Sequence, residues 1–222
     1  MCYSSESSII TFTVGIITSI LCIRLNTITD KIIGYFFLFV SQMQLIDYFI
    51  WNHQKCDSYN KFLSITGMIF NHLQPVMLGI IVLLLNKNIQ HKQWIIMIIL
   101  LYLSVIVPHS IKFLKSGDLE CTLQNIETKN LLWNWNFITK HLNVYIYIVF
   151  TLSIACISIL GFPTLKQGVY FAILAIITFV SSRFLYPKKS IGALWCFYIL
   201  YGLLSYYILR ITGLVKITHS KS

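Results

Sequence analysis

Ser41, Gln44, Asp47, Tyr48 and Trp51 recur at intervals of three and four residues, the spacing that puts side chains on one face of an α-helix. The run that holds them, from Ile33 to Trp51, is otherwise almost wholly apolar. A carboxylate, an amide and hydroxyls on one such face suit the binding of a proton or a small polar solute, because ionisable groups in apolar helices normally face an interior or a water-filled cavity. Asp47 is the one acidic residue expected well inside a helix. At about 1.5 Å per residue it sits roughly 6 Å from the Trp51 end, within reach of water from that side.

A second polar face follows. Ser64, Gly67, Asn71 and Gln74 share one side of the next apolar run, with His72 beside them and Pro75 directly after, in the stretch FNHLQPV. Pro75 removes a backbone donor and conflicts with the carbonyl of Asn71, so a kink is expected there. Asn71 and Gln74 are spaced to serve the freed backbone groups, a structural role that competes with a functional one. His109 and His141 lie near helix ends, where interfacial positions compete with chemistry. Arg183 reads either as a snorkelling anchor or as a partner for Asp47. Trp195, Tyr198, Gly202 and Ser205 read as a helix-packing face.

Three neutral-nitrogen or carboxylate ligands and a water are the minimum for zinc-dependent hydrolysis of the kind seven-helix lipid amidases perform. Asp47, His72 and His109 would supply three, but no His pair at i, i+4 occurs anywhere in the chain. No metal or other cofactor is expected. A retinal pigment is excluded by the lack of any Lys from Ile191 to Leu209, and phosphate-cradling glycine loops are missing.

The elements that carry these residues are legible from composition. The 222 residues are 57% hydrophobic and only 11% charged, with mean hydropathy +0.74, where a soluble domain has about a quarter charged. Seven stretches approach the ~20 apolar residues that a membrane crossing needs, at roughly 8–25, 32–51, 62–85, 94–111, 142–161, 165–186 and 191–213. The expected fold is therefore all-α: one domain over residues 1–222, a compact bundle of about seven transmembrane helices in a lipid bilayer. Five of the six loops are short, so successive helices should be antiparallel neighbours. The long loop, 112–140, contains LLWNWN, whose Trp133 and Trp135 suit an interfacial belt or a segment lying on the membrane. No internal repeat supports an inverted-repeat transporter. Residues 1–8 lack a positive n-region and no small-residue cleavage site follows the first run, so the first helix is expected to stay in the mature protein.

Helices that alternate in direction bring Asp47, Asn71, His72, His109, His141, Arg183 and Trp195 into the same half of the bundle. The expectation is a polar cavity open to that face, with the opposite half close to pure hydrocarbon. The net charge of +10 comes from Lys and Arg scattered between apolar runs, which are topology signals rather than a nucleic-acid surface. Eight of these cations lie on one side and nine on the other. Setting aside the four of the long loop leaves eight against five, and the N-terminus is expected on the non-cytoplasmic side with the C-terminus cytoplasmic. Cys22, Cys156 and Cys196 read as small buried hydrophobes. Cys2, Cys56 and Cys121 share the N-terminal side, so a Cys56–Cys121 disulfide competes there with free thiols.

The opening MCYSSESS, then Gln44-x-x-Asp47-x-x-x-Trp51, then Trp195-Cys196-Phe197 resemble an uncharacterised family of multi-helix membrane proteins from bacteria and from large DNA viruses or algae. Its members typically begin Met-Cys-Phe-Ser-x-Glu-Ala-Ser. The resemblance implies that Cys2, Ser4, Glu6 and Ser8 match the opening, with Tyr3 for the usual Phe, and that Asp47 stands where Glu is usual. It implies the seven-helix architecture and groups Glu6, Gln44, Asp47 and Trp51, with Pro75 matching a proline of the third helix. It names no reaction.

Three functional readings follow: a small solute or proton transporter, channel or ligand sensor built on the polar cavity; a non-catalytic structural or assembly protein; and, least supported, the zinc hydrolase. The expected partners are the bilayer and a small solute.

Overall fold

A computed structural model describes residues 4–115, 121–126, 129–136, 142–185 and 191–214, with the backbone alone for 136, 142–144, 182–185 and 191–199. It contains seven helices: α1 (Ser5–Arg24), α2 (Ile28–Asn52), α3 (Ser58–Leu85), α4 (Lys92–Leu114), α5 (Leu142–Gly161), α6 (Leu165–Leu185) and α7 (Ile191–Ile211). Each helix packs against the next, α3 also meets α5, and α7 returns to α1 and α2, closing a compact bundle. Four helices, α1 to α4, are long and apolar enough to cross a membrane; the described parts of α5, α6 and α7 contribute shorter apolar stretches.

Apolar side chains cover the outside of the bundle as well as filling its core. Trp94, Ile96, Met97, Leu100, Leu101, Val105 and Val107 of α4 are exposed, far more contiguous apolar surface than a water-soluble protein tolerates. The inward face of α1 is instead Ser8, Thr11, Gly15, Thr18, Ser19 and Cys22, spaced three and four apart. Small residues let helix backbones approach closely where lipid removes the usual hydrophobic drive. At Gly34 of α2 a Cβ would stand 2.8 Å from the Ser19 carbonyl oxygen of α1, so only glycine fits. Buried hydroxyls bond back to their own helix, as Thr11 does to the Ser7 carbonyl at 2.7 Å and Ser158 to that of Ile154 at 2.6 Å.

Long-range hydrogen bonds fix the two ends of the bundle. At one end the Asn52 amide closing α2 donates to the Ser5 hydroxyl opening α1 at 3.0 Å; this is the loop end. At the other, Asn86 after α3 donates to the Gly161 carbonyl closing α5 at 2.9 Å, and Thr29 of α2 donates to Gln167 of α6 at 2.8 Å. Successive helices thus run antiparallel.

The expectation of hydrocarbon in the second half is overturned. α2 starts at Ile28 rather than near residue 32, because Thr27 caps it, its hydroxyl accepting from Asp30 N–H. That extra turn carries Asp30 into the bundle, fully buried, so Asp47 is not the only acid inside a helix. The Arg210 guanidinium of α7 grips the Asp30 carboxylate through Nε and Nη2, both at 3.2 Å, the bidentate geometry that arginine favours. The hydroxyls of Tyr206 and Thr27 donate to the same carboxylate. Cys156, expected to be buried, is exposed on α5, whereas Cys22 is buried; Cys196 lies outside the described side chains.

Candidate functional site

Trp133 and Trp135 do not lie at an interface. They are 2% and 0% exposed, folded into the loop end of the bundle as a plug. Two short antiparallel strands, β1 (Leu123–Gln124) and β2 (Leu131–Leu132), pair Leu123 with Leu132 and Gln124 with Leu131, and a 3-10 turn follows at Asn134–Asn136. This ladder turns the chain inward and sends the tryptophans back between α2, α3 and α4.

The plug is anchored at its leading edge. Cys121 is disulfide-bonded to Cys56 in the α2–α3 link, with Cα atoms 5.5 Å apart. Next to it, Thr122 docks on α3. Its N–H donates to Asn60 Oδ1 at 3.0 Å and to Ser64 Oγ at 2.8 Å, while Asn60 Nδ2 donates to the Thr122 carbonyl at 3.1 Å and to that of His53 at 2.9 Å. Gln54 accepts from Gln124 N–H at 2.7 Å. The polar face expected on α3 therefore starts one turn earlier, at Asn60, and its first members hold the loop.

α3 can begin this early because Asp57 caps it, accepting from the amides of Tyr59 and Asn60, both at 3.1 Å, and meeting His53 Nε2 at 2.7 Å. The Asn60 amide first, then the His53 imidazole, hold the Asp57 carboxyl below its ordinary value of 3.8. A carboxylate depressed in the folded state stabilises above its unfolded pKa and loses that contribution as pH falls through the folded value. Acidification below about pH 4 is thus expected to release the cap. Hydrogen exchange at Tyr59 and Asn60 should accelerate there and stay unchanged from pH 5 to 7; identical exchange at pH 3 and pH 6, after correction for intrinsic rates, would contradict the assignment.

Trp133 reaches the expected carboxylate. Its indole Nε1–H donates to Asp47 Oδ1 at 3.1 Å across 86 residues of sequence. Trp135 stacks on Trp133 with ring centroids 4.9 Å apart and meets Phe113 edge-on at 6.4 Å. Gly67 makes room for it: a Cβ there would stand 3.2 Å from the far edge of the Trp135 ring.

His72 and His109, expected to share a depth and grouped with Asp47 in the zinc reading, are neighbours, with ring centroids 5.8 Å apart. Ser110 Oγ donates its one proton to the Ile106 carbonyl at 2.9 Å, so its 2.9 Å contact with His72 Nδ1 requires the imidazole to donate. His109 Nε2 faces the Trp135 carbonyl at 3.1 Å, and a carbonyl only accepts. In the neutral form each ring therefore keeps one basic nitrogen, Nε2 of His72 and Nδ1 of His109. Near Pro75, which lies inside an α3 helical throughout its length, Tyr102 donates to the His72 carbonyl at 2.8 Å.

Gln44, Asp47, Asn71, His72, Gln74 and His109 are all buried, and Trp51 is half-buried on the core. Glu6 is exposed in the first turn of α1, apart from this group, where its charge favours the helix N-terminus. The side chains of Arg183 and Trp195, and all of His141, lie outside the described residues. Among the described residues no three His, Cys, Asp or Glu side chains come together as a metal-holding group. No known protein family, curated protein or solved structure matches the chain.

Proposed function

We propose that this is a multi-pass membrane protein whose loop end faces the non-cytoplasmic side, and that the buried polar centre around Asp47 binds a proton or a small polar solute as a transporter, channel or sensor. Two features favour that orientation: a disulfide at the loop end, suited to an oxidising compartment, and the eight-against-five excess of Lys and Arg at the other end once the four of the long loop are set aside. The family suggested by the opening motif and by Gln44-x-x-Asp47-x-x-x-Trp51 belongs to the same reading.

The observation that carries the function is how Asp47 is met. A fully buried carboxylate takes a hydrogen bond from a separately anchored segment, and the indole N–H groups next to it, of Trp51 one turn along α2 and of Trp135 stacked on Trp133, make no hydrogen bond among the described residues. Buried donors without acceptors are rare and costly in a purely structural core. With the basic nitrogens of His72 and His109 they form a set of donors and acceptors that a proton, a water chain or a small solute would use. The plug is then a lid over that set.

A structural role has one observation in its favour: the double hold of Asn60 and Ser64 on Thr122 suits a fixed wall. Flux into liposomes separates the two. With a pH-sensitive dye inside, the wild type is expected to move protons or a tested solute, and Asp47→Asn to slow that movement at least tenfold while keeping its unfolding midpoint. Flux indifferent to the substitution, or none for any solute from a properly folded wild type, would count for the wall.

A further inference from the structure

At the end opposite the plug, a half-open cleft of about 450 Å³ lies between the α3–α4 link and the α5–α6 turn, within the range of roughly 300–1,000 Å³ typical of ligand pockets. Its lining divides by chemistry. Asn86, Asn88, Gln90 and His91 supply amides and an imidazole from the link, while Ile159, Leu160, Phe162 and Leu165 supply an apolar wall. Such a division fits an amphiphile, with a polar head against the link and a chain against the helix ends.

The charge of the rim narrows the head. Lys87 lies within the lining stretch, Lys92 and Lys166 directly follow lining residues, and Lys31 lies one turn along α2 from the lining Ile28; all four are exposed. Among the described residues none forms an ion pair, and Lys166 Nζ lies over the Tyr170 ring, 5.7 Å from its centroid. Among the described residues Asp30 is the one acid at this end, and it is buried and taken up by Arg210. α4 also starts at this rim with His91 as its N-cap and no side-chain capping bond, adding the positive end of a helix dipole. Lysines with no carboxylate partner among the described residues, set around an amide-lined cleft, favour an anion, and the apolar wall and exposed Trp94 and Leu165 at the rim favour one that carries a hydrocarbon chain.

From this arrangement we infer that the cleft between residues 86–91 and 159–165 is a binding site for an anionic phospholipid, its phosphate held by the link amides and lysines and its acyl chain against Leu160 and Leu165. The inference rests on the reading of the bundle as membrane-embedded and is independent of any flux through the Asp47 centre.

The test is native mass spectrometry of the full-length protein in detergent, titrated with phosphatidylglycerol or phosphatidylcholine. The wild type is expected to retain phosphatidylglycerol at least tenfold better. Lys87→Gln with Lys92→Gln, and separately Leu165→Asp, should each remove most of that preference; Leu165 is largely exposed, so its replacement leaves the core intact. Arg24→Gln, a charge at the end of α1 that is not among the lining residues, should leave it unchanged. Equal retention of both lipids, wild-type retention by Leu165→Asp, or equal loss in Arg24→Gln would overturn the proposal. Displacement by millimolar inorganic phosphate would also overturn it, since a free anion would then suffice. Alkaline extraction of native membranes tests the underlying reading separately: release into the supernatant removes the membrane assignment, whereas retention without lipid preference removes the cleft alone.

Discussion

Arg210→Ala should destabilise the protein by about 3–5 kcal/mol, because it leaves the Asp30 carboxylate buried without its counter-charge. The carboxylate is fully buried and Arg210 largely so, so solvent screening offers little relief. Tyr206 and Thr27 would still donate, but neutral donors replace only part of a bidentate ionic grip. Arg210→Lys should fall between, since a point charge cannot reproduce two parallel N–H bonds. The double variant Asp30→Asn, Arg210→Met should recover most of the loss, because the cost lies in the orphaned charge rather than in the absence of the pair. Denaturant titration in detergent, followed by circular dichroism, measures all three. A cost for Arg210→Ala below about 1 kcal/mol, the range of surface pairs, would mean that Asp30 meets water in solution.

The second large effect is expected at Trp135. Trp135→Ala removes a fully buried ring that stacks on Trp133 and fills the space above Gly67, at a cost of about 3–5 kcal/mol. Trp133→Phe keeps most of the ring and loses one hydrogen bond to the Asp47 carboxylate, roughly 1.5–3 kcal/mol. The disulfide ranks lower than its loop length suggests. Closing a 65-residue separation in a free chain is worth roughly 4 kcal/mol, but the enclosed segment includes α3 and α4, two of the helices apolar enough to stay helical in a membrane. A denatured state already confined in this way has less entropy to lose. Cys56→Ser should therefore cost less than Trp135→Ala. The reverse order, measured by the same titration, would mean that the plug is held by its tether rather than by its rings.

Part of this architecture was readable from residue order alone. The helices announced themselves because apolar runs of sufficient length have few alternatives, and the run over 142–161 coincides with α5. The faces of α2 and α3 were legible because the 3.6-residue period assigns neighbours within one helix without knowledge of any other. What failed were positions where hydropathy and topology part company. Lys31 is one of the cations scattered between apolar runs, and the expected start of α2, residue 32, lies just after it. The Thr27 cap, in Thr-x-x-Asp before an apolar run, was the local signal that would have brought Asp30 inside. Trp133 and Trp135 have the same composition whether they float at an interface or plug a bundle. The difference is made by Gly67, Asn60 and Asp47, which lie on other elements, and no periodicity within the loop encodes those partners. The adjacency of His72 and His109 was similarly limited, since equal depth on two helices leaves their rotation open.

The Asp30 grip also sets a timetable. Its donor and acceptor are 180 residues apart, so at a synthesis rate of roughly 5–20 residues per second the carboxylate waits on the order of 10–35 s for its arginine to be made. During that interval Thr27 is the neighbour that can already serve it. A nascent chain with six helices made therefore carries in the second an acid that still lacks its counter-charge. Synthesis of α7 supplies Arg210, so the bond between the second and seventh helices is among the latest contacts of the described bundle that can form.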